Sequence, residues 1–209
     1  MQKVVKMLQA DRFSALGFLR DSKAVAAVEF AMILPVMLVM FLGTVEFSMG
    51  VAANRKVTHV ANTLSNLAAQ SKYVGNADMT QFFAAANEVM TPYNTPPISQ
   101  RISEVWLDPS TTPPTPRVMW SKSSTGSNLT PRGTGTSVNV PTALAVPGTY
   151  LIYSEVNFRY DVPASIGYVA HSTMNLGDVS YARPRYSLSV PFCTNVPSPP
   201  DPPTGCTTF

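Results

Sequence analysis

One apolar stretch, Ala24 to Ala53, limits what this chain can fold into more than any other feature. No charged residue interrupts it from Ala31 to Val45, while Glu29 and Glu46 bracket that interval. As a helix rising 1.5 Å per residue, the two acids stand roughly 25 Å apart. A bilayer's hydrocarbon core is about 30 Å thick, so the stretch reads as a membrane-spanning helix. Glu29 sits awkwardly near its entrance, because a carboxylate in hydrocarbon costs about 2.5 to 3.5 kcal/mol on insertion scales and calls for a partner or a task. A neighbouring chain offering a cation at the same depth would neutralise it and set axial register. Snorkelling to the headgroups, or pairing with Lys23 or Arg20 of the same chain, are the alternatives.

Charge orients the segment. Lys3, Lys6, Arg12, Arg20 and Lys23 precede it, against Asp11 and Asp21, and only Arg55 and Lys56 follow closely. The positive-inside bias puts the N-terminus in the cytoplasm and the remainder outside. A cleaved secretory signal ending at Val51-Ala52-Ala53 fits poorly: the apolar run is too long, holds Glu46, and starts more than twenty residues into the chain. Pro35 removes one backbone hydrogen bond and should bend the helix. Ala27 with Ala31, and Gly43 with Gly50, form shallow strips that suit close approach of another helix or are simply common in membrane helices.

Beyond the membrane, Val57, Val60, Ala61, Leu64, Leu67 and Ala68 recur at spacings of three and four, an amphipathic continuation of the helix towards Ser71. Asp78 to Met90, with Phe82, Phe83, Ala86 and Val89, reads as a second helix ending near Pro92, with Met79, Phe82 and Phe83 as core. The period then changes. Ile98 to Leu107, Arg117 to Ser121 and Tyr150 to Tyr160 read as strands, and Val179 to Val190 as another, interrupted at Pro184. Ser121 to Pro147, rich in Ser, Thr, Gly and Pro, reads as a long exposed loop. Tyr150, Tyr153, Phe158 and Tyr160 read as sheet core rather than a docking face. Arg183 and Arg185, set to one side by Pro184, read as partners of a carboxylate on this chain, such as Glu155 or Asp161, with a carboxylate on a partner as the alternative. The fold class is therefore α+β, a long membrane-spanning helix continuing as an extracytoplasmic stem packed with an antiparallel sheet. The expected division is a basic leader 1–24, a transmembrane helix 25–53, helices 54–91, a sheet domain 92–190 with loop 121–147, and a Pro-rich tail 191–209.

Cys193 and Cys206 lie in that tail, where closing a short loop contributes about 3 kcal/mol in the chain-entropy model if the compartment is oxidising. Two free thiols are the alternative. Two Cys without nearby His supply too few ligands for zinc, so no metal or cofactor is expected. His59 and His171 form no triad, ligand spacing or acid-base pair, which argues against an enzyme. With a formal charge of +3, wholly accounted for by the leader, there is no nucleic-acid footprint. Gly133-Thr134-Gly135 lacks the Lys and setting of a phosphate loop, and Asn128-Leu129-Thr130 is a glycosylation acceptor only formally.

The run Ala24-Val25-Ala26-Ala27-Val28-Glu29-Phe30-Ala31, then Leu34-Pro35 and Leu42-Gly43-Thr44-Val45-Glu46-Phe47, resembles the N-terminal region of TadE-like pseudopilins, minor components of tight-adherence (Flp-type, type IVc) pilus systems. The resemblance implies a prepilin peptidase cutting between Ala24 and Val25, which makes Glu29 the fifth mature residue, followed by the aromatic Phe30. It implies a bacterial inner-membrane protein whose partners are other pilin-like subunits and the assembly machinery, and whose role is structural and adhesive. The family pattern has Gly before the cut where this chain has Ala24. An uncut single-pass envelope scaffold or binding protein is therefore the alternative.

Overall fold

The computed structural model describes residues 22–93, 98–161, 173–195 and 204–207, with backbone alone at 22–24. The leader up to residue 21, the 162–172 segment containing His171, and most of the tail lie outside the described residues. The chain divides into two units, 1–47 and 48–209.

In the first unit, Ser22 opens helix α1, Ser22–Ala69, which continues through Pro35 and on into the second unit. The second unit begins with a change of pattern along that helix. Ala53, Val57, Val60, Ala61, Leu64, Ala68 and Ala69 are buried, whereas Arg55, His59 and Asn62 are exposed. Spacings of three and four put the buried set on one stripe, the only arrangement that lets a helix cover a sheet with one side and meet water with the other. Gln70 and Ser71 close the last turn on the carbonyls of Asn66 and Ala68.

Helix α2, Asn76–Val89, starts where the Asp78 carboxylate accepts the Gly75 N–H at 2.8 Å, satisfying one donor at the helix N-terminus. Its other end is held from α1: the Lys56 ammonium donates to the carbonyls of Val89 and Thr91, a cation on the negative pole of the helix. Met79 and Phe83 are buried in the core and Phe82 packs against it half-buried, in agreement with their reading as core residues, and Ala86 is buried with them.

Four strands follow: β1 Ser99–Asp108, β2 Thr115–Ser123, β3 Tyr150–Asp161 and β4 Thr173–Ala182. They form one antiparallel sheet in the order β2-β1-β3-β4. Period-two alternation gives the sheet two differently used faces. Ile102, Ile152, Val156, Phe158 and Tyr160 pack with the α1 stripe and α2. On the other face Val105, Leu107, Val118, Leu151 and Tyr153 pack under Val138 and Val140. The connection after β2 is thus no simple exposed loop: its apolar residues roof a second core, and it holds a single helical turn at Thr142–Leu144. The aromatic set divides likewise, with Phe158 and Tyr160 on the helix side and Tyr153 on the other.

The fourth strand lies upstream of its expected place. It ends at Ala182, before Pro184, and Arg183 to Val190 form no strand. Gly177 and Asp178, poor strand formers, hide the pattern. A Cβ at Gly177 would lie 2.6 Å from Asn157 Oδ1 across the β3–β4 pair, so a larger residue there requires the Asn157 side chain to move. After β4 the chain returns to be clamped at Val190. Glu104 on β1 accepts the Val190 N–H at 2.5 Å and the Trp120 indole N–H at 3.0 Å, and that indole also donates to the Val190 carbonyl at 2.8 Å. A two-strand ribbon, β5 Cys193–Asn195 with β6 Thr204–Cys206, is closed by the Cys193–Cys206 disulfide. Val74 bonds the backbone on both sides of Phe192, attaching the ribbon to the body.

Two checks follow. Leu64 is wholly buried on the α1 stripe, so Leu64→Ala should lower unfolding free energy by about 2 to 5 kcal/mol in denaturant titration. Burial raises Glu104 from an ordinary 4.5 to about 7, against the opposing hydrogen bonds from Val190 and Trp120. Because the folded pKa exceeds the unfolded one, the contribution of this acid is complete below about pH 4.5 and is lost as pH rises to about 7, on the order of 3 kcal/mol in all. Stability measured across that window should fall with rising pH, and Glu104→Gln should flatten the slope.

Candidate assembly site on the apolar helix

The local sequence around Glu29 is a helix with no polar side to turn towards water. From Val25 to Phe41 every residue is exposed, with Phe30 at 60% and Met32 at 73%. Alanine, leucine and methionine favour the helix, and the valines and Ile33 give a lipid-compatible exterior. Mean hydropathy over the most apolar window is 2.5, and none of that window is buried. The helix is long and apolar enough to cross a membrane. Leaving this much apolar surface in water at about 25 cal/mol per Å² would be prohibitive, so lipid or other helices must cover it.

Glu29 lies exposed on this surface, one residue before Phe30, and makes no ion pair among the described residues. Seventeen residues on, Glu46 is half-buried. The Ala24–Val25 bond falls inside α1, within a turn of its first residue, so the proposed scissile bond is helical in the uncut chain. Ala27, Ala31 and Gly43 are exposed, and nothing lies within 4 Å of a Cβ built at Gly43 or Gly50. Those strips remain open for another helix. Glu29 and Phe30 are brought together by adjacency alone, while Cys193 and Cys206 lie in the other unit, bonded to each other.

The second unit holds titratable groups that no motif announced. Glu155, on β3, receives the Arg101 guanidinium at 2.5 Å, the Arg132 guanidinium at 2.7 Å and the Tyr153 hydroxyl at 3.0 Å. Burial pushes its carboxyl up, but the hydrogen bonds and charges of the two arginines outweigh this and hold it below the usual range. Arg101 also donates to the Thr130 carbonyl, so the cluster ties the β2–β3 connection to the sheet. It is a fastening, with every charge answered. Arg183 and Arg185 do not engage Glu155 or Asp161 as expected: Arg185 donates to Asn66 Oδ1, and Asp161 is bonded by Arg159. His59 is exposed on α1, and among the described residues no three His, Cys, Asp or Glu side chains gather as metal ligands. Only the cross-strand register pairing Arg101 with Glu155 could have signalled the cluster, and that register is not visible before the strands are paired.

No curated protein and no solved structure matches this chain. Residues 24–65, which take in the exposed apolar helix, the Glu29-Phe30 pair and the buried stripe as far as Ser65, match the family described as TadE-like protein, in agreement with the resemblance carried by Ala24 to Phe47.

Proposed function

We propose that this chain is a structural, non-enzymatic assembly component: a minor pilin-like subunit of a tight-adherence, type IVc pilus. Its apolar helix inserts among like helices in the bacterial inner membrane, with the N-terminus cytoplasmic and the sheet domain periplasmic or extracellular after assembly. The observation that carries this reading is one carboxylate, Glu29, on a helix whose surface from Val25 to Phe41 is otherwise apolar and uncovered. In lipid that charge is tolerable when a cation lies at the same depth. If the peptidase releases Val25, the new amine of a neighbouring chain is such a cation, and pairing with it fixes how far one helix slides along another. Open small-residue strips at Ala27, Ala31 and Gly43 support close lateral packing.

Ala24, standing where the family pattern has Gly, favours a second reading in which the leader is retained and the chain works as an uncut single-pass envelope scaffold. N-terminal sequencing of the membrane form separates the two: Val25 as first residue supports the first, an intact leader the second. Under the assembly reading, Glu29→Ala should insert in the membrane as well as the natural chain. Its copurification with other pilus components should drop at least about tenfold, equivalent to 1.4 kcal/mol. Glu29→Lys should be worse, since like charges then meet. Undiminished copurification of both variants would refute the pairing role.

A further inference from the structure

The sheet has two edges, and they are treated differently. Along β2, the returning chain covers the edge: Val118 N–H donates to Thr136 O, Gly135 N–H to Val118 O, and Val138 N–H to Pro116 O. The opposite edge is β4, Thr173–Ala182, ten residues without Lys, Arg or Pro. Proteins ordinarily blunt so long an edge with those residues, a bulge or a covering segment.

The direction of its free groups is fixed by the ladder. Ser124 N–H donates to Gln100 O, so even-numbered residues of β1 bond towards β2 and odd-numbered ones towards β3. Carried through the registers Arg101↔Glu155 and Glu155↔Val179, this turns the odd-numbered amides of β4 away from β3. Val179 confirms the parity: its N–H turns back onto Asp178 Oδ1 at 2.8 Å. The outward groups of Thr173, Asn175, Gly177 and Tyr181 have no backbone partner among the described residues.

What flanks this edge defines its partner. The α1 positions Arg55, His59, Asn62 and Asn66, spaced four, three and four, form one stripe. Asn62 accepts the Ser180 hydroxyl at 2.7 Å and Asn66 accepts Arg185, so the stripe runs beside β4 and its outgoing chain. Arg55, Arg183 and Arg185 are exposed and make no ion pair among the described residues. The one acid on β4, Asp178, is held by the Thr58 hydroxyl and the Val179 N–H. Met174 and Val179 add exposed apolar surface on opposite faces of the strand. Two cations without a partner among the described residues, Arg55 and Arg183, a third, Arg185, held only by the neutral Asn66, and two exposed apolar side chains beside this row of amides suit an extended segment that alternates apolar with acidic residues.

We propose that the β4 edge docks an extended acidic segment of another polypeptide, which joins the sheet as a fifth strand. Main-chain bonds to the odd-numbered residues hold it, and the arginines select its charge. A second copy of this chain fits less well, because pairing β4 with itself brings the cations of both copies to one interface and supplies no free acid. The inference stands on the sheet and its flanks and does not depend on the pilus reading.

The test uses the full chain in detergent micelles with two ten-residue peptides, one alternating Val with Glu and one alternating Val with Lys. Amide hydrogen exchange is followed residue by residue. The acidic peptide should slow exchange at Asn175, Gly177 and Tyr181 at least about tenfold, less so as salt rises, and the lysine peptide should not. Asn175→Pro takes away one outward N–H without removing a bond to β3, and should lower the peptide-induced protection of the neighbouring Gly177 amide. In the double variant Arg55→Glu and Arg183→Glu the preference should pass to the lysine peptide. Equal protection by both peptides, none by the acidic one, or protection that appears without peptide and grows with protein concentration, as self-pairing would give, each overturns the proposal.

Discussion

Everything in this molecule follows from how one helix divides its surface. Over its first part α1 is apolar on all sides, and over its last five turns it is apolar on one stripe only. The first pattern is stable where the surroundings are themselves apolar, and the second where a sheet covers one side and water the other. One helix therefore carries both patterns, without the backbone hydrogen bond that Pro35 cannot donate, and the change from uniform to striped falls near the boundary between the two units.

Within the second unit the stripe organises the rest. Ala61 offers its carbonyl to the Ser154 hydroxyl at 2.7 Å, and Ser65 meets Ser180 at 2.9 Å, so polar contacts on β3 and β4 fix the helix over the sheet as well as apolar ones. Two acids, the buried Glu104 and the half-buried Glu155, then fasten chain segments outside the sheet. Glu104 holds Val190 at the cost of a raised pKa, and Glu155 holds the β2–β3 connection between two arginines. Their pH dependences oppose each other. Glu104 weakens the fold as pH rises through its window, and Glu155 weakens it as pH falls through its depressed pKa.

The sequence makes some of this plain and hides the rest for physical reasons. Both helices and the first three strands are legible because their periodicities are strong: the three-and-four spacing from Val57 to Ala68, and the alternation along Tyr150 to Tyr160. The true extent of β4 is hidden by Gly177 and Asp178, poor strand formers whose place in the strand is set by pairing with Asn157 and Val156 on β3 rather than by a local signal. Val138 and Val140 look like isolated apolar residues in a polar loop, and become core only because the chain folds back over Val105 and Leu151. Glu104 reads as one alternating polar position, although its ring of donors comes from residues 16 and 86 positions away. The Glu29-Phe30 pair is the opposite case: its message lies wholly in neighbouring residues, and the helix adds that the surface around it is open.

The central claim is that this surface is covered by another polypeptide rather than by lipid alone. A photoreactive amino acid placed at Ile33, one helical turn from Glu29 on the same face, tests it directly in living cells. Crosslinks should join Ile33 to the apolar N-terminal helix of a second pilin-like chain, mapped near its terminal amine. If crosslinks from Ile33 reach lipid only, whatever the state of assembly, the claim is contradicted.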